Sequence, residues 1–451
     1  MIQVHSTLHR ALVDLEPRDP GKVGIYVCGP TVQSEPHVGH GRYAVSFDMI
    51  RRYLMWRGLE VTYVSNVTDI EDKIIAAAEE AGESVGTLAE RMTQRFSDAF
   101  GALGVLAPDV EPKATEHIPE MIELIEALIE RGLAYERAGD VYFSVKALEG
   151  YGKLSGRRPE ELRSGYRIEV GDAKEDPLDF ALWKAAKPGE PWWDSPWGEG
   201  RPGWHIECSA MATKYLGEGF DIHGGGRDLI FPHHENEIAQ SEGASGETFA
   251  RHWLHNGMVN LDGEKMSKSD GRVVDLDSIV RTHGGKALRM LYVRAHYRSP
   301  IEYSEELLAE AAESLDRLDR FRARAEAGVP DSDAINSFRE FMDDDFGTPQ
   351  AVSLLFDLVR EGNRLIDDGG DASAIAGAVE EIVGVLGIDD ASGPAVDVGG
   401  LSDEEIEGMV EERDQARSDR RFDDADRIRQ ELDEAGVTLE DGPDGTRWLR
   451  R

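Results

Sequence analysis

Residues 23–65 read VGIYVCGPTVQSEPHVGHGRYAVSFDMIRRYLMWRGLEVTYVS, and this stretch decides the fold. Val23 to Cys28 is a short apolar run ended by Gly29-Pro30, which reads as a strand. From about Val38 to Trp56 the apolar residues Ala44, Phe47, Ile50, Tyr53 and Leu54 recur at helical spacing. Val61 to Ser65 is again strand-like. Strand, helix and strand at these separations make one crossover of a parallel sheet.

His37-Val38-Gly39-His40 sits where the first strand hands over to its helix. Backbone N–H groups at a helix start attract phosphate. Two imidazoles three residues apart share one face and can donate to a phosphorus centre as charge builds there. Gly39 leaves room for a nucleotide to come close.

Working outward, helical patterns run from Ile70 to Ala81, Val85 to Leu103 and Ile118 to Arg131, followed by a strand from Val141 to Val145. Leu148 to Gly203 is rich in Gly, Pro and charge, holds Trp183, Trp192, Trp193 and Trp197, and predicts an insertion with little regular structure. A strand from Phe220 to His223 runs into Gly224-Gly225-Gly226, and a helix from His233 to Gln240 completes the second half of a doubly wound sheet. Beyond about Asp275 the chain reads as mostly helical, with a linker from Gly387 to Gly400. The tail reads as helices Asp403 to Ser418 and Asp423 to Ala435, then Val437 to Leu449 around a Gly-Pro-Asp-Gly turn.

The expected class is therefore α/β: a Rossmann-like, doubly wound parallel-sheet catalytic domain with an insertion, then a helical bundle and a small C-terminal unit. The expected boundaries are 1–117 for the first half, 118–203 for the insertion and 204–250 for the second half. Residues 251–303 form the region that bears Lys265 to Ser269, 304–390 the bundle and 400–451 the tail unit.

No apolar run approaches the roughly 20 residues that span a bilayer. The opening MIQVHSTLHRALVDLEP matches neither a signal nor a transit pattern, so a cytoplasmic protein is expected. Two cysteines, Cys28 and Cys208, make no disulfide framework. The 451 residues include 88 acids against 50 bases, a formal net charge of −38. Lysine is scarce, and none lies beyond Lys286. Such a surface repels polyanions in dilute buffer, but at molar salt the Debye length falls to about 3 Å, so a salt-rich, halophilic setting is expected.

In a chain that largely avoids lysine, Lys265-Met266-Ser267-Lys268-Ser269 puts two lysines three residues apart in a Gly- and Asp-flanked segment. Ammonium groups on long flexible stems suit a mobile loop that clamps leaving phosphates. This motif and His37-Val38-Gly39-His40 resemble the two signatures of class I aminoacyl-tRNA synthetases. Longer strings narrow the resemblance to the cysteinyl-tRNA synthetase family: Tyr26-Val27-Cys28-Gly29-Pro30-Thr31-Val32, Gly203-Trp204-His205-Ile206-Glu207-Cys208-Ser209-Ala210-Met211 and Phe231-Pro232-His233-His234-Glu235-Asn236-Glu237. Asn66-Val67-Thr68-Asp69-Ile70 and the ending Gly445-Thr446-Arg447-Trp448 extend it over essentially the whole chain. Asp270-Gly271-Arg272 departs from the family, which often has an apolar residue and Gly-Asn there.

Cys28, Cys208, His233 and Glu237 supply two thiolates, an imidazole and a carboxylate, a tetrahedral zinc set. Spacing alone leaves His233 and His234 equal as partners of Glu237; the resemblance selects His233. It further implies Thr68, Trp204 and His223 around bound L-cysteine, Asp228 at the nucleotide ribose and Asn256 on the adenine side. The implied reaction is ATP-dependent formation of cysteinyl-adenylate, Mg2+ accompanying ATP, then transfer to the 3′ end of tRNA(Cys). His37 and His40 would stabilise the first transition state and Lys265 and Lys268 would hold the departing phosphates.

The tail carries 17 acids and nine arginines, so Arg420, Arg421, Arg427 and Trp448 are expected to serve unpaired bases of tRNA rather than a general phosphate grip. The family implies a monomer. The nearest rival is the related cysteine ligase of mycothiol synthesis, which shares the zinc site but lacks an anticodon unit.

Overall fold

In the computed structural model the described residues are 1–158, 174–261, 264–265, 273–389, 437–442 and 445–450, with single residues and short pieces between 408 and 432. The centre is a four-stranded, wholly parallel sheet. Its strands are β1 (Lys22–Val27), β2 (Glu60–Ser65), β3 (Phe220–Gly226) and β4 (Ala250–Asn256), in the order β4-β3-β1-β2. Helix α1 (Val38–Trp56) joins β1 to β2. The second half follows α2 (Trp204–Leu216), with α3 (Glu235–Ser245) between β3 and β4. Adjacent strands β1 and β3 thus send the chain away in opposite directions, and the crevice beyond their carboxyl ends is where such sheets bind ligands.

All five apolar positions read on α1 are buried. So are its polar residues Arg42, Asp48 and Arg51, because the helix lies between the sheet and the helices that follow it. Arg51 Nη2 reaches Asp109 Oδ1 at 2.7 Å, Arg52 Nε reaches Asp48 Oδ2 at 2.8 Å, and Arg289 also binds Asp48. Arg42 is met instead by backbone carbonyls, those of Tyr292 and His296 among them, so each buried charge is either paired or hydrogen-bonded.

The three glycines after His223 continue β3 rather than end it. A Cβ on Gly224 would stand 2.3 Å from the Phe47 ring, and one on Gly225 2.8 Å from His234 Cε1. Glycine lets this strand press against α1 and the histidines. The following helix begins at Glu235, later than expected, and His233 and His234 occupy a wider turn, Ile230–His234, ahead of it.

The segment expected to be irregular, 148–203, contains strands Phe180–Ala185 and Gly200–Pro202. With Ala134–Arg137 and Asp140–Phe143, the latter overlapping the expected strand, they form an antiparallel sheet in sequence order, with Trp183 fully buried. Helix Ile118–Glu130 packs its buried Ile125 and Leu128 into the same core as Met211 of α2. An N-terminal hairpin, Gln3–Ser6 with Ala11–Asp14, was not anticipated.

Beyond Asp275 the described chain is mainly helical, as read. The bundle includes α4 (Glu305–Arg322), α5 (Ser332–Asp343), α6 (Thr348–Asp367) and α7 (Ser373–Leu386). Ser304 and Asp331 cap α4 and α5, accepting from the N–H groups of Leu307 and Ala334 at 3.2 and 2.8 Å. In the tail, Val437–Gly442 and Gly445–Arg450 pair as a hairpin; most of the two expected tail helices lies outside the described residues. Among the described residues no helix is long and apolar enough to cross a membrane.

Candidate functional site

A cavity of about 510 Å³ opens at the crevice between β1 and β3, and its lining includes Cys28, His37, Gly39, His40, Trp204, Asp228 and Asn256. Gly29, just past β1, makes this approach possible: a Cβ there would fall 1.6 Å from the Asn66 carbonyl oxygen. Its N–H donates to Asn66 Oδ1 at 2.9 Å, tying the end of β1 to the end of β2.

On the rim, His37 has extended backbone and directly precedes α1. Its N–H donates to His40 Nδ1 at 3.1 Å, and the two rings stack with centroids 3.6 Å apart. Asp228 lies in the short turn Arg227–Leu229 after β3, and Asn256 ends β4 with its Nδ2 donating to the Gly257 carbonyl at 3.0 Å. Lys265 lies in the two-residue strand Glu264–Lys265; Lys268 and the rest of its motif lie outside the described residues.

At the floor, Cys28, Cys208, His233 and Glu237 are all buried and offer donor atoms within 4.8 Å of one another. Cys28 Sγ is 3.3 Å and His233 Nε2 3.1 Å from Glu237 Oε1. Bond lengths of about 2.0–2.3 Å to zinc imply tetrahedral edges of roughly 3.3–3.8 Å, so the set fits that ion with little movement. Burial pushes the Cys28 thiol well up, helped by Cys208 and Glu237. At Cys208 the hydrogen bond with Cys28 works downward, but burial beside Glu237 outweighs it. Burial also holds His233 and His234 far below the usual imidazole range. With the thiols pushed up and the imidazoles down, these side chains offer no positive charge beside the buried Glu237 carboxylate; a divalent cation would supply it and let both cysteines ionise.

The chemistry of this floor is also open to a second set, Cys28, His223, His234 and Glu237. His223 Nε2 lies 2.7 Å from Glu237 Oε2 while its ring stacks on Trp253. His223 and Thr68 are buried below the cavity, whereas Trp204 lines it and leans over His233 with ring centroids 4.2 Å apart. Sequence reasoning missed the outer partners: Asn66, His205 on His233, and His255, whose Nε2 lies 2.8 Å from His234 Nδ1. The density of histidine in Trp204-His205 and His233-His234 was the available signal.

A second concavity, about 450 Å³, runs between α4 and α6 and is lined by Arg317, Arg320, Arg324, Phe356, Val359, Arg360 and Asn363. Of the tail candidates, Arg421 is exposed and pairs with Asp424 at 2.8 Å, Arg427 is exposed, and Trp448 stands opposite Leu439 in the hairpin register. Arg420 lies outside the described residues.

Residues 14–313 match the class I (C) tRNA synthetase catalytic domain, 337–388 the DALR domain, and 401–448 the cysteinyl-tRNA ligase anticodon binding domain. The chain is 51% identical over 461 residues to the cysteine–tRNA ligase of Alkalilimnicola ehrlichii, covering all of both chains. It is 48% identical over 468 residues to that of Geobacillus thermodenitrificans, covering 100% of this chain and 99% of the relative. In fold it is similar to Mycobacterium tuberculosis methionyl-tRNA synthetase in complex with methionyl-adenylate, at a TM-score of 0.59 and 15% identity over 81% of this chain and 90% of that one. The LeuRS–tRNA–LeuAMS complex of Agrobacterium radiobacter aligns at 0.58 and 12% identity, over 83% and 85% of the two chains. The chain belongs to the cysteinyl-tRNA synthetase family of class I aminoacyl-tRNA synthetases.

Proposed function

We propose that this chain activates L-cysteine with ATP and transfers it to the 3′ end of tRNA(Cys), acting as a cytoplasmic monomer with one zinc ion. In the first step a carboxylate oxygen of cysteine attacks the α-phosphorus of ATP and the bond to the β-phosphate breaks, giving cysteinyl-adenylate and pyrophosphate. His37 and His40 donate to the α-phosphate oxygens as charge gathers there. Lys265 and Lys268 take the departing pyrophosphate, with Mg2+ arriving on ATP. Asp228 accepts from the ribose hydroxyls and Asn256 faces the adenine. In the second step a ribose hydroxyl of tRNA attacks the activated carbonyl and AMP leaves.

Cys28, Cys208, His233 and Glu237 hold the zinc, which when bound supplies a soft ligand-accepting centre that prefers a thiolate sulfur to a hydroxyl. Shape alone separates such near-isosteres weakly. Trp204 walls the amino-acid end of the cavity. His223 acts from beneath through its contact with Glu237, and Thr68 through the loop after β2.

The observation that carries this reading is the convergence of four soft and hard donors from separate stretches of chain at the floor of a cavity rimmed by the two histidines. The match of residues 401–448 to an anticodon binding domain favours tRNA over an amino-sugar acceptor. The test is pyrophosphate exchange with cysteine and with serine, before and after zinc removal. Cysteine-dependent exchange should disappear on chelation and return with zinc, with serine inactive throughout. Exchange indifferent to chelation, or equal for both amino acids, overturns the thiolate reading.

A further inference from the structure

His205 is used by none of the steps above, yet it is built into the floor of the site. It is the second residue of α2, three before Cys208 on the same helix, and its Nδ1 lies 2.8 Å from His233 Nδ1. Two bare nitrogens at that separation repel, so one of them carries a proton that the other accepts. His233 turns its other nitrogen, Nε2, to 3.1 Å from Glu237 Oε1, inside the donor cluster. For Nε2 to offer a lone pair to a cation, the single proton of neutral His233 must sit on Nδ1. His233 is then the donor, His205 the acceptor, and the proton of His205 lies on its own Nε2.

We propose that His205 is a positioning residue of the zinc site, fixing His233 in the Nδ1–H tautomer and holding its ring plane toward Cys28, Cys208 and Glu237. The inference rests on the zinc reading given above and assigns a residue that reading leaves idle. The His205 ring is itself held, edge-on to Phe180 with centroids 5.7 Å apart and tilted against Trp204 at 5.1 Å. One helix therefore supplies both a ligand, Cys208, and the group that orients another. The neighbouring His234 also has an outer partner, His255, but its Nε2 stands farther from Glu237 Oε1, at 3.9 Å. Outer partners of ligating histidines commonly set ring orientation and basicity.

The test compares His205→Phe and His205→Asn in the full chain. Phenylalanine keeps the ring packing but cannot accept a proton; the Asn Oδ1 stands where Nδ1 stood and can. Zinc affinity is read by competition with a chelator, and thermal unfolding reports the fold. H205F should lose about 10–100-fold in affinity while H205N stays near wild type. An H205F protein that holds zinc as tightly as wild type overturns the inference, and so does an H205N protein that falls as far as H205F. Wild type that binds no zinc overturns the zinc reading itself, and this inference with it. Independently of any variant, nitrogen NMR of the wild-type zinc protein should show the proton of His233 on Nδ1; a proton on Nε2 overturns the inference.

Discussion

His40 receives the His37 N–H at Nδ1, so in its neutral form the ring proton sits on Nε2, the nitrogen able to donate to a phosphate oxygen. Since such a bond strengthens as charge builds, His40→Ala should lower kcat for cysteine-dependent pyrophosphate exchange by about 10²–10³-fold, leaving KM for ATP nearly unchanged. A rise in KM with kcat intact would place His40 in ground-state binding instead. The placement of the His37/His40 pair at the cavity rim was legible because phosphate chemistry would call for fixed residue types at a helix start. The converging thiols were legible only through long matching strings, since Cys28 and Cys208 are 180 positions apart. The clustering of histidines signalled that outer partners exist, but not that His205 reaches His233 or that His255 reaches His234. Those contacts depend on how α2 and β4 are set beside the turn before α3, which local spacing does not encode.

At the scale of elements, α1 is the beam that carries the histidine motif, and its attachment to the helices behind it is electrostatic as well as apolar. Arg289, in helix Gly285–Val293, is fully buried. Its Nε donates to the Leu386 carbonyl at 2.9 Å and Nη1 to that of Leu103 at 3.1 Å, while Nη2 meets Asp48 on α1. Burial pushes the Asp48 carboxyl up, but Arg289, Arg52 and the Leu106 N–H outweigh it and hold the group below its ordinary range. Removing one partner of a buried pair strands the other, so Asp48→Ala should destabilise the chain by about 3–5 kcal/mol in denaturant unfolding. A loss below about 1 kcal/mol would mean that Arg289 finds other acceptors. Helix α1 was read to within a residue because its apolar positions keep helical spacing. Strands Phe180–Ala185 and Gly200–Pro202 were not, because short strands among Trp, Lys, Gly and Pro lack the alternation that marks a half-buried face. Their sheet is defined by pairing between distant segments.

For the whole molecule, a net charge of −38 sets two demands: the fold must survive its own repulsion, and a polyanion must still be able to approach. We expect both to improve as KCl rises from millimolar to molar, because screening shortens the reach of the acidic surface to about 3 Å. Unfolding midpoints and aminoacylation rates across that range check this, and full stability and activity in dilute buffer would count against it. Screening alone removes repulsion without giving RNA a place to bind, and we expect the arginine-lined groove between α4 and α6 to serve as one. Arg317 and Arg320 lie one turn apart on α4, Arg324 stands just past its end, and the three share the groove with Arg360. Asp357 pairs with Arg360 at 2.6 Å and Asp367 with Arg324 at 2.5 Å, so part of this charge is already balanced. Arg317 lies over the Phe356 ring with its guanidinium carbon 5.5 Å from the centroid, which holds that side chain at the groove. Reversing two of these charges, in Arg317→Glu with Arg320→Glu, should raise KM for tRNA by about tenfold or more and flatten its dependence on salt, while cysteine-dependent pyrophosphate exchange is unchanged. Were exchange and tRNA charging to fall together, the groove would be supporting the fold; were neither to change, the RNA backbone would lie elsewhere on the chain.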